Sequence, residues 1–222
     1  MATTEERTRL SRETVVDGAL ALTDAEGRDG LTIRRLAQHL GVTPMALYWH
    51  FTNKDELLDG IADRLWSLVD TEIDDTRPWA GRLRALMESI VDVLRAHPSV
   101  ASLMVTTQPG NAPACFRTME TALDILANAG FSPGEAAAIC RHGLRTATTL
   151  AIGDPGLTPM HTAEEAEEFI RRKRIILESL PTRRYPRIIE AADPLTTIED
   201  PKGFGAFGID LFIAGVEALA AR

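Results

Sequence analysis

Apolar positions recur every three or four residues along almost the whole chain, and no stretch shows the alternation with period two that a half-buried strand requires. The first helix is predicted from about Ser11 to Ala25, with Val15, Ala19 and Leu22 on one face and Ser11 as N-cap. A short helix follows from Thr32 to Leu40, carrying Ile33, Leu36, Ala37 and Leu40 on one side. Gly41 stops it, because glycine tolerates the left-handed backbone after a helix end. A third helix runs from Pro44 to about Trp49, with Thr43 as cap and the proline at the first helical position, where its missing N–H costs nothing. Asn53 and Glu56 resemble a capping box opening a long fourth helix, in which Leu58, Ile61, Leu65 and Ile73 recur as far as Asp75.

Beyond Pro78 the pattern predicts a second, larger helical unit: Trp79–Ala96, Ser99–Thr106, Ala112–Ala129, Pro133–Ile152, Ala163–Leu180 and Phe204–Ala221. Pro98, Pro109, Gly130, the Gly153–Pro159 stretch and Pro181 punctuate it. The segment Pro181–Gly203 is long for a loop, so it is either mobile or holds a short helix near Ile188. The fold class is therefore all-α, divided into residues 1–53 and 54–222.

Composition changes this picture little: 45% of the 222 residues are hydrophobic, enough for a substantial core. No apolar run approaches about 18 residues, so no membrane span or membrane partner is expected. The polar start, Met1 to Leu10, lacks a signal core, and the two cysteines, Cys115 and Cys140, suit a reducing compartment. The expected location is the cytoplasm.

Charge matters more. The net charge of −8 argues against nucleic acid until its distribution is considered. Residues 1–54 balance 7 basic against 7 acidic side chains, so the excess acid lies entirely downstream. Residues 31–54 contain no Asp or Glu, but do contain Arg34, Arg35, His39, His50 and Lys54. An acid-free window in an acidic protein is a candidate footprint for a polyanion, or a chance feature of a short window.

The second and third helices decide between those readings. A helix-turn-helix needs a small residue where its helices approach, a turn residue free to take positive φ, and apolar residues that set the crossing. Ala37, Gly41, and Leu36, Leu40, Val42 and Leu47 meet these demands. The second helix of the motif enters the major groove, which makes Thr43, Pro44, Met45, Ala46, Tyr48 and Trp49 the reading head. Met45 and Ala46 suit thymine methyl groups, and Tyr48 a phosphate or base edge. Trp49 and Phe51 serve equally well as core aromatics at this level of argument.

The run Leu31-Thr32-Ile33-Arg34-Arg35-Leu36-Ala37-Gln38-His39-Leu40-Gly41-Val42, with Leu47-Tyr48-Trp49-His50-Phe51 and Asn53-Lys54, resembles the tetracycline-repressor (TetR) family over about residues 11–66. The resemblance implies three DNA-binding helices, a connecting fourth helix and a helical ligand-binding domain. It further implies a homodimer made by a four-helix bundle of two C-terminal helices from each subunit. By the same resemblance Arg34 would contact a base and Thr32, Tyr48 and Lys54 would hold phosphates. Thr43 to Ala46 would read sequence, and His50 belongs to the same interface. Pro44-Met45-Ala46 departs from the tetracycline repressor, so a different operator is expected, near-palindromic because the dimer is two-fold.

In the C-terminal unit, Phe207, Leu211, Gly215 and Ala218 lie on one stripe of a last helix that is apolar over most of its circumference, as an interface helix would be. The expected dimer pairs this helix with Pro133–Ile152. Candidate ligand-lining residues on the middle helices are Met87, Leu103, Met104, Phe116, Met119, His142, Thr146 and Thr149, any of which could instead be core. No cofactor and no metal is expected. Cys140 and His142 diverge on a helix, His97 and His161 lack partners at ligand spacing, and no P-loop, nucleophile elbow or HExxH is present. In the tetracycline repressor a histidine before a threonine-arginine-proline turn helps hold magnesium. The matching turn, Thr107-Gln108-Pro109, puts Met104 in that place, a thioether unsuited to a hard cation. The expected function is a ligand-responsive repressor released from its operator by a small apolar organic molecule. The alternatives are a protein-interaction module that does not bind DNA and, disfavoured, a helical enzyme.

Overall fold

The computed structural model describes residues 10–27, 30–106, 109–152, 163–197 and 200–222. Among these, every regular element is helical, as the apolar spacing predicts. The order is α1 (Arg12–Glu26), α2 (Ile33–His39), α3 (Pro44–Tyr48), α4 (Lys54–Ser67), α5 (Trp79–Ala96) and α6 (Leu103–Thr106). Then follow α7 (Pro113–Asn128), α8 (Pro133–Ile152), α9 (Ala163–Glu178), α10 (Pro186–Glu190) and α11 (Pro201–Ala220). A 3₁₀ turn, Pro109–Asn111, precedes α7. Thr107, Gln108, His161 and the Gly153–Pro159 stretch lie outside the described residues.

The predicted caps are in place. Ser11, Thr32, Thr43 and Asn53 each accept a hydrogen bond from the backbone N–H three residues on, which satisfies one of the free donors of α1, α2, α3 and α4. α2 ends as its glycine requires. Gly41 has φ of 66°, its N–H reaches the Gln38 carbonyl, and the Val42 N–H reaches that of Ala37. These two bonds are a Schellman closure, which fixes the angle at which α3 departs.

α4 is shorter than its apolar spacing predicts, ending at Ser67 rather than Asp75. Two carboxylates compete with the helix for backbone donors. Asp70 accepts from the Glu72 N–H at 2.9 Å, and Asp74 from the Thr76 N–H at 2.9 Å. Ser89 of α5 takes the Asp70 N–H, so the chain leaves α4 along the side of α5, where Ile73 still packs on the core. α6 is likewise reduced to Leu103–Thr106. Of the two readings of Pro181–Gly203, the short helix holds, as α10, which packs on α9.

α5 sits at the centre of the larger unit, against α7, α8 and α11, and α8 packs on α11. α4 bridges the two units: it touches α1 on one side and α6 and α7 on the other. One hydrophobic cluster runs from Val15 of α1 through Leu65 of α4 to Val216 of α11. A dense, continuous core of this kind transmits displacement rather than absorbing it.

α11 departs from one expectation. Over Lys202–Ala220 its mean hydropathy is 1.5, so by length and composition it could cross a membrane. Its placement gives another reason for that character. Gly205, Ile209, Ile213 and Val216 are buried against α5 and α8, and Asp210 pairs with Arg84 of α5. Phe204, Phe207, Leu211 and Leu219 stay exposed.

Candidate nucleic-acid interface and internal cavity

α2 and α3 are too short to be stable alone, so neighbours must hold them. Leu36, Ala37 and Leu47 are buried between the two helices and α1. Phe51, only 3% exposed, anchors the end of the motif in the core. Trp49 is the opposite, at 85% exposed, which resolves the two aromatics that periodicity left open: Phe51 is core and Trp49 is surface. Met45 (68%) and Tyr48 (51%) are exposed on the same helix, beside exposed Thr43 and Pro44 and the half-buried Ala46 and His50. Thr32, Arg34 and Lys54 are exposed as well. Arg35 is tied to Glu26 at 2.8 Å, whereas Arg34 and Lys54 have no ion-pair partner among the described residues. Their charge is left available to phosphates or base edges.

One fastening was missed at the sequence level. Arg12 donates to Glu56 at 2.7 Å and to the His50 carbonyl at 3.0 Å, and its guanidinium lies 4.4 Å from the Phe51 ring centre. It thus clamps the end of α3 to the start of α4. Glu56 also accepts from the Thr52 N–H at 2.7 Å, one residue before the donor that a standard capping box would use. No sequence rule reports a pairing across 44 residues. The Arg12 hydrogen bond first, then that of the Thr52 N–H, holds the Glu56 carboxyl down to about 2 from 4.5. Because the folded value is depressed, this clamp contributes stability that is complete above about 4.5 and is lost as pH falls toward about 2. Melting temperatures of the parent and Glu56→Gln should therefore differ at pH 6 and converge as pH falls toward 2; a constant difference would refute the clamp.

The predicted ligand residues separate into four pairs. Met87 of α5 and Met119 of α7 line a partly open apolar cavity of about 80 Å³, together with Trp66, Thr118, Cys140 and Phe212 among others; Met119 stands at its exposed edge. Leu103 and Met104 are buried in the core but do not line it, and Phe116 and Thr149 are exposed, the Thr149 hydroxyl donating to the Arg145 carbonyl. His142 and Thr146 turn away from the cavity, into an open groove of about 600 Å³ between α8 and α11. Spacing put all of these residues on plausible helices, but only packing decides which side of α8 faces inward. Burial pushes the Cys140 thiol up from its ordinary value, so it stays neutral, and none of the cavity-lining side chains is a charged type. Among the described residues no group of three His, Cys, Asp or Glu side chains is placed to hold a metal.

The four predicted dimer residues, Phe207, Leu211, Gly215 and Ala218, are all exposed on α11, and Leu211 and Gly215 line the same outer groove as His142 and Thr146.

Comparison with known proteins agrees with this arrangement. The family described as "Bacterial regulatory proteins, tetR family" matches residues 15–61, and "Tetracyclin repressor-like, C-terminal domain" matches 74–220. The tetracycline repressor protein class C of Escherichia coli is 31% identical over 213 residues, covering 95% of this chain and 92% of that protein. The crystal structure of the Streptomyces coelicolor TetR family protein ActR in complex with actinorhodin superposes with a TM-score of 0.82 at 28% identity, covering 97% of this chain and all of that one. BioQ with its double-stranded DNA operator superposes with a TM-score of 0.58 at 26% identity, covering 72% of this chain and 95% of that one.

Proposed function

Since the chain belongs to the tetR family of bacterial regulatory proteins, we propose that it is a cytoplasmic, homodimeric transcriptional repressor that leaves its operator when a small organic molecule enters the α5–α7–α8 cavity. The observation that carries this reading is the exposed head of α3, with Met45, Tyr48 and Trp49 beside Arg34 and Lys54, which have no ion-pair partner among the described residues, in a window free of acid. A protein-interaction module would have no need of two such cations flanking a capped helix-turn-helix. No catalytic activity is proposed. Residues 1–53 form the DNA-binding part, and α4 relays ligand-induced movement from 54–222 to the two reading heads.

Binding to the intergenic DNA that flanks the gene tests the reading by mobility shift. Lys54→Ala should weaken binding to every sequence and lower the salt slope by about one unit, because one phosphate contact is lost. Arg34→Ala should relax specificity at one base step, at a cost of about 1–3 kcal/mol. If both variants bind like the parent, the interface is misplaced.

The effector proposed here is not the magnesium–tetracycline chelate. Met104 is buried and is a soft thioether, and the cavity offers no carboxylate or imidazole for a hard cation. Calorimetry should find no magnesium-dependent binding of tetracycline; tight binding that also releases DNA would overturn this.

A further inference from the structure

Threonine within a helix usually returns its hydroxyl hydrogen bond to the carbonyl one turn back. In this chain Thr23 donates to the Ala19 carbonyl, Thr148 to Leu144 and Thr149 to Arg145, all at 2.8–3.0 Å. Thr118 of α7 does not. It is 3% exposed, it lines the α5–α7–α8 cavity, and its Oγ1 has no hydrogen-bond partner among the described residues. A buried hydroxyl left unpaired destabilises the folded chain, so its persistence needs a reason. Its surroundings supply one. The rest of the cavity is hydrocarbon, two methionines, two aromatic rings and the Cys140 thiol, with no charged side chain. That lining offers too few polar partners to hold water firmly.

We infer that the Thr118 hydroxyl is the principal polar anchor of the effector site, and that the effector is a neutral, ring-based molecule presenting one hydroxyl or carbonyl oxygen to it. This rests on the cavity being the effector site. A neutral ligand follows because an ion there would be desolvated with nothing to pair it. A ring system follows from the flat, polarizable walls of Trp66, Phe212, Met87 and Met119. The two methionines are also the side chains best able to rearrange, which a cavity of about 80 Å³ must do to admit a ligand. Phe212 lines both this cavity and the α8–α11 groove, and its ring lies 3.2 Å from where a Cβ on Gly143 would stand. It is the partition whose movement enlarges the site.

The test uses the full-length protein and two probes of one shape, 2-naphthol and 2-methylnaphthalene, titrated by calorimetry and by competition. Thr118→Val should weaken 2-naphthol about threefold to tenfold, the worth of one hydrogen bond, and should leave 2-methylnaphthalene bound at least as well. Thr118→Ser, which keeps the hydroxyl, should retain most of the naphthol affinity. The anion 2-naphthoate should bind the parent at least about tenfold more weakly than 2-naphthol. Ligand-free Thr118→Val should also melt about 2–4 °C higher, since it removes an unpaired hydroxyl without changing shape. A lower melting temperature would reveal a structural partner and overturn the anchor. Equal effects of Thr118→Val on both probes would likewise refute the anchor, while leaving the cavity as the site. If neither probe binds, or if Ala122→Leu in the cavity wall does not affect binding, the cavity reading fails and the anchor with it.

Discussion

Gly215→Arg is expected to convert the protein to a monomer at micromolar concentration and to weaken operator binding by at least about a hundredfold. Gly215 lies on the exposed side of α11, in the groove shared with α8, and nothing within 4 Å would meet an added Cβ. The arginine therefore has room in an isolated subunit and should not disturb its packing. In the proposed dimer the same face packs against a second copy, and a four-helix bundle would bury each arginine; Glu135 lines the same groove, but its carboxylate is already held by the Ser132 N–H and hydroxyl. Two reading heads joined in one dimer gain by effective concentration, and separated heads lose that gain. Sedimentation equilibrium and a mobility shift report the two effects, and far-UV circular dichroism distinguishes dissociation from unfolding. Gly215→Ala serves as the control and should remain dimeric. Dimerisation of the arginine variant at parental strength would remove α11 from the interface.

The second large effect is expected at Asp63. α7 begins at Pro113 with no side-chain cap of its own, since its N-cap residue is Ala112. Asp63 of α4 fills that role from another helix: its carboxylate accepts from the Ala114 N–H at 2.6 Å. Asn111 donates to Asp59 at 2.9 Å, one turn earlier on α4. Negative charge at a helix N-terminus is favourable, so the pair forms a latch between the helix that reaches the DNA-binding unit and the helix that carries Thr118. Asp63→Ala leaves the Ala114 N–H buried and unpaired, at a cost of about 1–3 kcal/mol and a melting temperature several degrees lower. Asp63→Asn, which can still accept, should recover about half of that. The functional expectation is sharper: the alanine variant should bind operator with near-parental affinity but release it poorly on ligand addition. Unchanged release would show that α4 is driven through another contact, for which its packing on α6 is the alternative route. Cys115 offers an independent check. Its thiol is pushed up chiefly by burial and further by the Asp63 charge, so Asp63→Asn should lower it.

What the sequence determined on its own was whatever depends on residues close along the chain. The caps at Ser11, Thr32, Thr43 and Asn53, the Gly41 turn and the proline at the start of α3 each act within about five residues, so spacing and residue type suffice to find them. The α2–α3 motif was legible for that reason, and with it the exposed head that carries the functional reading. The apolar character of α11 was equally readable from its periodicity, but only the structure separates the side buried on α5 and α8, with Ile209, Ile213 and Val216, from the exposed side with Phe207, Leu211 and Gly215. Tertiary structure decided what depends on distant neighbours. Trp49 and Phe51 have the same chemistry two residues apart, and only the packing of α1 and α4 turns one outward and the other into the core. α4 stops at Ser67 because side chains beyond it, and Ser89 of α5, take the backbone donors that periodicity alone would leave to the helix. His142 and Thr146 line the outer groove with Leu211 and Gly215 of α11, whereas Cys140, Gly143 and Leu144 of the same helix line the cavity, a choice that only the packing of α8 makes. The clamp of Arg12 on Glu56, the latch of Asp63 on α7 and the unpaired hydroxyl of Thr118 leave no mark in the sequence. The first two are pairings across 44 and 51 residues, and the third is a side-chain geometry set by packing; all three are properties of the folded chain alone.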